Sequence, residues 1–311
     1  MKRKINKVGQ DTLTVSLPKD WAKKNNLNKG DEVDLVVKDN ALTIFGKKVM
    51  GENILEITVP EDPKAAYRLV RCYYTIGVDE IKLNFKNKKS MESIEKNMAN
   101  FIGFEIIERT SNYWIIRTIA DIKEGEFEKV LKRMFNLVSL MGSEIHEGFS
   151  TGKPSKLYHI NDLEETLNKL YMFCSRYIIT TGWKMFKNPS LYFVLVQKLE
   201  NIGDNFSFLS NHYSEFKTLK INGGTVNLLE DFLKYLNDMQ NYYYNFSFSR
   251  LRELLDRKDE LTKKVTKLYK SVSRAELLLI SKLLDTIILT YDAFSTIFDI
   301  KVTELENHTK T

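Results

Sequence analysis

From residue 124 to about residue 300, apolar side chains recur every three or four positions, and no other feature constrains the fold as strongly. Phe127, Val130, Leu131, Met134, Val138, Met141, Ile145 and Phe149 lay one stripe along a long amphipathic helix. Ser150-Thr151-Gly152-Lys153-Pro154 breaks it. Further helices are expected near 162–182, 189–213, 226–247, 249–271 and 274–300, with Asn222-Gly223-Gly224 as the middle break. Six long helices in two sets of three make an α-helical bundle over 124–302, with an approximate internal repeat of pattern more than of residues. Five prolines and 14 glycines in 311 residues leave room for helices of that length.

The first half of the chain reads differently. Leu13-Thr14-Val15-Ser16-Leu17 alternates apolar and hydroxyl residues at period two, which predicts a half-buried strand. An earlier strand ends at Gly9-Gln10, and Pro18 opens a short helix over Lys19–Asn26 with Trp21 and Ala22 available to pack. After the turn Leu27-Asn28-Lys29-Gly30-Asp31, strands Glu32–Val37 and Ala41–Phe45 form a hairpin around Lys38-Asp39-Asn40. A unit of this size without cysteine buries too little apolar area to stand alone, so pairing with a second copy is expected. Lys47–Asn53 is a polar connection. Strands at 54–59 and 81–85, helices at 63–77 and 90–103, and a 104–119 hairpin around Ser111-Asn112 then make a small α/β module over 52–122. Ser90 or Ser93 is the expected cap of its second helix, and Gly103 its end. The whole is an α+β multidomain chain.

Charge is concentrated at one end. Residues 1–30 carry eight lysines and arginines against Asp11 and Asp20, so the chain's entire net charge of +6 resides there. Such a patch suits a polyanion. Arg3, Lys4 and Lys7 on the first strand, with Lys19, Lys23 and Lys24 on the short helix, are the candidate contacts to double-stranded DNA. The alternative reading is a solubilising lysine face on a dimerisation module. Cys72 and Cys174 are far apart and form no C-x-x-C pair, which fits a reducing cytoplasm. The basic start has no apolar stretch after it, and no run of about 18 apolar residues exists, so neither export nor membrane insertion is expected.

Residues 2–48 resemble the AbrB/MazE family of swapped-hairpin DNA-binding domains. The likeness is carried by Arg3–Val8-Gly9, then Thr12–Leu17-Pro18-Lys19-Asp20-Trp21, then Leu27-Asn28-Lys29-Gly30-Asp31-Glu32-Val33. The Gly9-to-Pro18 spacing is closer to the MazE-like branch. The resemblance implies half of a dimeric β-barrel over 1–48, with Lys7 where MazE-like proteins carry a DNA-contacting arginine. Lysine in that place favours phosphate contacts over bidentate base reading.

Leu199-Glu200-Asn201-Ile202-Gly203-Asp204-Asn205 resembles the Glu-x-x-x-Asp motif of the PhoU family of phosphate-uptake regulators, built from repeated three-helix units. Leu195, Leu199, Ile202, Phe206 and Leu209 share one helix face, and Glu200 and Asp204 another. The resemblance implies iron or zinc held by Glu200 and Asp204; the other reading is a solvated face beside Lys198. The counterpart segment Leu283–Ile288 has no such motif. Head, module and bundle together are similar to a group of archaeal phosphate-uptake regulators.

No enzymatic motif is present: His146, His159, His212 and His308 lack metal-ligand spacing, and there is no P-loop or G-x-G-x-x-G. Ser93-Ile94-Glu95-Lys96 matches S-x-x-K without its companion motifs. Tyr242–Tyr244, Phe246 and Phe248 read as bundle core before a base-stacking platform. The expected function is a homodimeric transcriptional regulator with a sensing or partner-docking bundle. The rivals are an adaptor docking on a transporter or kinase without DNA, and an antitoxin.

Overall fold

The computed structural model describes residues 1–38, 41–46, 54–119, 125–274 and 276–305. The expected turn at 39–40 and the polar connection at 47–53 lie outside those residues. The chain divides into two compact units, 1–55 and 56–311.

The first unit holds two hairpins and one short helix. Strand β1 (Ile5–Val8) pairs antiparallel with β2 (Thr12–Val15), and β3 (Asp34–Lys38) with β4 (Ala41–Phe45), as two separate two-stranded sheets. Helix α1 (Lys19–Lys24) lies between them in sequence. The third strand starts at Asp34, two residues later than its apolar pattern suggests.

In the second unit a four-stranded sheet has the order β5-β6-β8-β7, from β5 (Leu55–Thr58), β6 (Glu80–Asn84), β7 (Phe104–Arg109) and β8 (Tyr113–Thr118). Helix α2 (Pro63–Thr75) and α3 (Lys88–Asn97) complete the α/β layer. Asp62 caps α2, accepting from the Ala65 N–H at 2.8 Å, and Pro63 sits at the first turn where no amide partner is needed. Neither Ser90 nor Ser93 caps α3: Asn87 does, accepting from the Ser90 N–H at 2.9 Å. The Ser90 hydroxyl instead donates to the Pro60 carbonyl at 2.7 Å, tying α3 to the end of β5. The layer's core gathers Val70 and Tyr74 of α2, Ile81 and Leu83 of β6, Ile94 of α3, and Phe104, Trp114 and Ile116 of the hairpin.

The helical bundle comprises α4 (Glu126–Thr151), α5 (Ile160–Met185), α6 (Pro189–Tyr213), α7 (Gly223–Tyr244), α8 (Phe248–Leu268) and α9 (Leu277–Leu305). The two sets of three share one continuous core. Every member of the α4 stripe is buried except Val130, which packs against the core edge. Each such Leu, Phe or Met contributes on the order of 2 kcal/mol of transfer free energy. Gly152, in the left-handed conformation at φ 67, ends α4 as the breaker run predicts. Gly203 marks a close helix crossing, since a Cβ there would stand 2.2 Å from Leu167 Cδ2. Helix α8 buries only Leu254, Leu261 and Val265, because it closes the bundle from one side and faces water on the other. Tyr242 and Tyr243 are core residues, whereas Tyr244 and Phe248 are exposed. Glu276 is buried and caps: its carboxylate accepts from the Asn222 and Ser273 N–H groups at 2.7 and 3.2 Å, which outweighs the burial that would raise its pKa and leaves it lowered.

One side chain fastens the α/β layer to the bundle. Arg176 of α5 is buried, and its guanidinium donates to the carbonyls of Tyr74 and Val78 at 2.7 and 3.0 Å. It also donates to Asp79 Oδ1 at 2.8 Å and Thr118 Oγ1 at 2.9 Å. The rings of Tyr74 and Phe104 lie 5.1 Å from it. Met172, one turn earlier on α5, completes the layer's core. No helix among the described residues is long and apolar enough to cross a membrane.

Candidate nucleic-acid interface

The β1–β2 register opposes Ile5 to Val15 and Lys7 to Leu13, so these four share one face of the hairpin, while Asn6, Val8, Thr12 and Thr14 share the other. Gly9 makes the turn at φ 72, a conformation that L side chains rarely adopt. Arg3 and Lys4 precede β1 and are not part of it, so of the three expected strand cations only Lys7 is held by a ladder.

Helix α1 is six residues long and follows Pro18 at its N-cap, whose carbonyl accepts from the Ala22 N–H at 2.9 Å. Lys23 and Lys24 occupy its last turn, where the helix dipole favours cations, and Asp20 its first. Lys19 and Lys23, four apart, fall on one side. The Asn25 amide donates to the Trp21 carbonyl at 2.8 Å, closing the helix, and Gly46 approaches Asn25 so closely that a Cβ would stand 2.5 Å from its Oδ1. The end of β4 is thereby seated on the end of α1. Arg3, Lys4, Lys7, Lys19, Lys23 and Lys24 are all exposed.

No described side chain of this unit is buried. Ile5 and Leu13 are each 67% exposed, Leu35 57% and Val37 75%. On the second hairpin Leu35 and Val37 oppose Ile44 and Leu42, an apolar face of four residues. An apolar face of this extent on a unit with no interior calls for a covering surface.

A family model described as antidote-toxin recognition MazE, bacterial antitoxin, matches residues 7–52. Residues 7–52 form a MazE/AbrB-like domain. Domains of this kind commonly bind DNA and dimerise, and the MazE-like domain here fits a DNA-binding regulator or an antitoxin. A search of curated proteins found no match to the chain.

The second set of candidate residues lies in the bundle. Glu200 and Asp204 share a face of α6 near Glu164 of α5, and the cation they sense is Arg71 of α2. Burial, then Asp204, push the Glu200 carboxyl up to about 7, with Arg71 opposing. Burial likewise raises Asp204 and Glu164. On the α9 side the heptapeptide meets Thr286, whose hydroxyl accepts from Asn205 at 3.2 Å, and Asp285 pairs with Lys282 at 3.6 Å. Among the described residues no group of three or more His, Cys, Asp or Glu side chains could hold a metal ion. The donor set therefore does not fit the iron or zinc cluster that the motif implies.

The raised Glu200 has a stability consequence. Its folded pKa lies above the unfolded value, so the native state binds more protons between about pH 4.5 and 7, and stability falls as pH rises through that window. Glu200→Gln is expected to stabilise the protein at pH 8 by roughly 1–2 kcal/mol, the shift being discounted for partial exposure. The gain should vanish near pH 4.5. Thermal melts of both proteins across that range measure it, and a gain independent of pH would contradict the assignment.

Proposed function

We propose that the chain is a homodimeric, non-enzymatic DNA-binding transcriptional regulator whose helical unit senses a signal or docks a partner. The observation that carries this reading is the MazE-like domain itself: exposed cations on a unit whose apolar hairpin faces have no interior of their own. Two copies would cover those faces and present two basic patches to a site with two-fold symmetry. A change in the helical unit would then act by altering the separation of the paired heads. A link to phosphate supply, and a transporter or kinase as partner, rest only on the PhoU-like pattern of the bundle. Iron or zinc at Glu200 and Asp204 forms no part of this reading.

The test is a salt titration of duplex binding by the full chain. Replacing Lys7, Lys23 and Lys24 by alanine is expected to weaken binding to every duplex and to flatten the salt slope by about 0.9 for each phosphate no longer neutralised. An unchanged slope would remove these lysines from the DNA-facing surface.

The family match favours a second reading, an antitoxin. Depleting the protein in its host separates the two. Growth arrest that is relieved by deleting a neighbouring toxin identifies an antitoxin, and altered transcription without arrest identifies a regulator.

A further inference from the structure

We infer that the loop end of the helical bundle is a second nucleic-acid surface, one that takes single-stranded DNA or RNA. Three connections meet there. The Leu219 N–H donates to the Gly152 carbonyl at 3.2 Å, the Tyr158 hydroxyl to the Ser214 carbonyl at 3.3 Å, and the Asn222 N–H to Glu276 at 2.7 Å. Segments 152–158 and 214–222, and residues 269–274 with Glu276, are thus held side by side.

These segments and the last turn of α8 expose Lys153, Lys217, Lys220, Lys267, Lys270 and Arg274. Carboxylates do not balance them. Glu276 is buried and occupied in capping, and Glu147 is paired with Lys156 at 2.9 Å, which leaves Glu144, Glu215 and Asp162 among the described residues, three carboxylates against six cations. Repulsion among uncompensated cations is a standing cost that a polyanion would relieve.

Rings stand among those charges. Tyr158 is 59% exposed, Phe216 41% and Tyr269 39%. Phe216 is braced from behind: it stacks on buried Tyr213 at 5.6 Å and 28°, and Tyr213 in turn meets Phe149 edge-on at 5.1 Å. A braced ring next to Lys217 offers a base a stacking partner and its phosphate a cation. A duplex hides its base faces, and an acidic peptide needs no exposed rings. The combination therefore selects a single strand, and the inference does not depend on what the MazE-like domain binds.

The experiment uses the full chain carrying Lys7→Ala, Lys23→Ala and Lys24→Ala, with anisotropy of labelled single strands of roughly 20 nucleotides, DNA and RNA, against the same sequence as duplex. Salt-sensitive binding that favours the single strands is expected. Adding Lys217→Ala, Lys220→Ala, Lys270→Ala and Arg274→Ala should lower affinity at least about tenfold and reduce the salt slope by about 2–3. Phe216→Ala should weaken binding by roughly fivefold or more with the slope unchanged. Absence of salt-dependent binding overturns the inference. So does duplex binding as tight as single-strand binding, or no effect of Phe216→Ala in a protein whose circular-dichroism melt is unaltered.

Discussion

Replacing Arg176 by alanine is expected to cost about 3–5 kcal/mol and to lower the melting midpoint of residues 56–311 by about 10 °C. The guanidinium satisfies two carbonyls, one carboxylate and one hydroxyl at once, and it does so where Asp79 is mostly covered. Burial lowers the Arg176 pKa, with Asp79 and Tyr74 opposing; an arginine keeps its charge in a protein. Removing it takes the Arg176 ion pair from Asp79 and the guanidinium donor from the Val78 carbonyl, and leaves the Tyr74 carbonyl with the Gly77 N–H. Arg176→Met, which keeps most of the stem's volume, should cost nearly as much, because the interactions it removes are polar. Arg176→Lys should recover part of the loss but not all, since an ammonium presents no planar fork. Asp79→Asn is expected to cost much less in the Arg176→Ala background than alone. Denaturant midpoints measure all four. A cost below about 1 kcal/mol for Arg176→Ala would show that the apolar packing around Met172 alone fastens the layer to the bundle.

The bundle is legible in the sequence because its helices bury one stripe each, and a stripe leaves a period of 3.6. The order of strands and helices in the α/β layer is legible because short apolar strand runs alternate with helical stretches, with Gly77 and Gly103 as breaks. Arg176 is harder to see, although a signal is there. It is the single charge in the largely apolar run Tyr171–Ile179, and a lone cation in such a run has to be paired if the run is buried. Asn87 is easily missed as a cap because Ser90 and Ser93 are equally good acceptors, and only the backbone's entry into the helix decides between them. Glu200 and Asp204 read as either solvated or metal-bound. What they face instead is Arg71, more than a hundred residues away in sequence, and no local pattern reports a partner at that distance. In the MazE-like domain, composition locates the basic residues. The strand register then places Lys7 on the apolar face with Ile5, Leu13 and Val15, a fact that charge counting does not carry.

That apolar face sets the largest effect expected in the head. If a second copy covers the hairpins, Val37→Asp buries an unpaired carboxylate twice per dimer. Each costs on the order of 2–5 kcal/mol, so the dimer should loosen by about a thousandfold or more. Duplex binding should fall with it, because two half-sites are engaged together only while the heads are paired. If the hairpins instead stay open to water, Val37 is the most exposed of their apolar residues. The same change would then alter stability by about half a kcal/mol, as surface substitutions do. Lys23→Asp, on exposed α1, serves as the contrast: it should weaken duplex binding while leaving the dimer intact. Sedimentation equilibrium and duplex anisotropy on the full chain distinguish these cases. A Val37→Asp protein that dimerises and binds duplex like the parent would show that these hairpin faces are not where the heads meet.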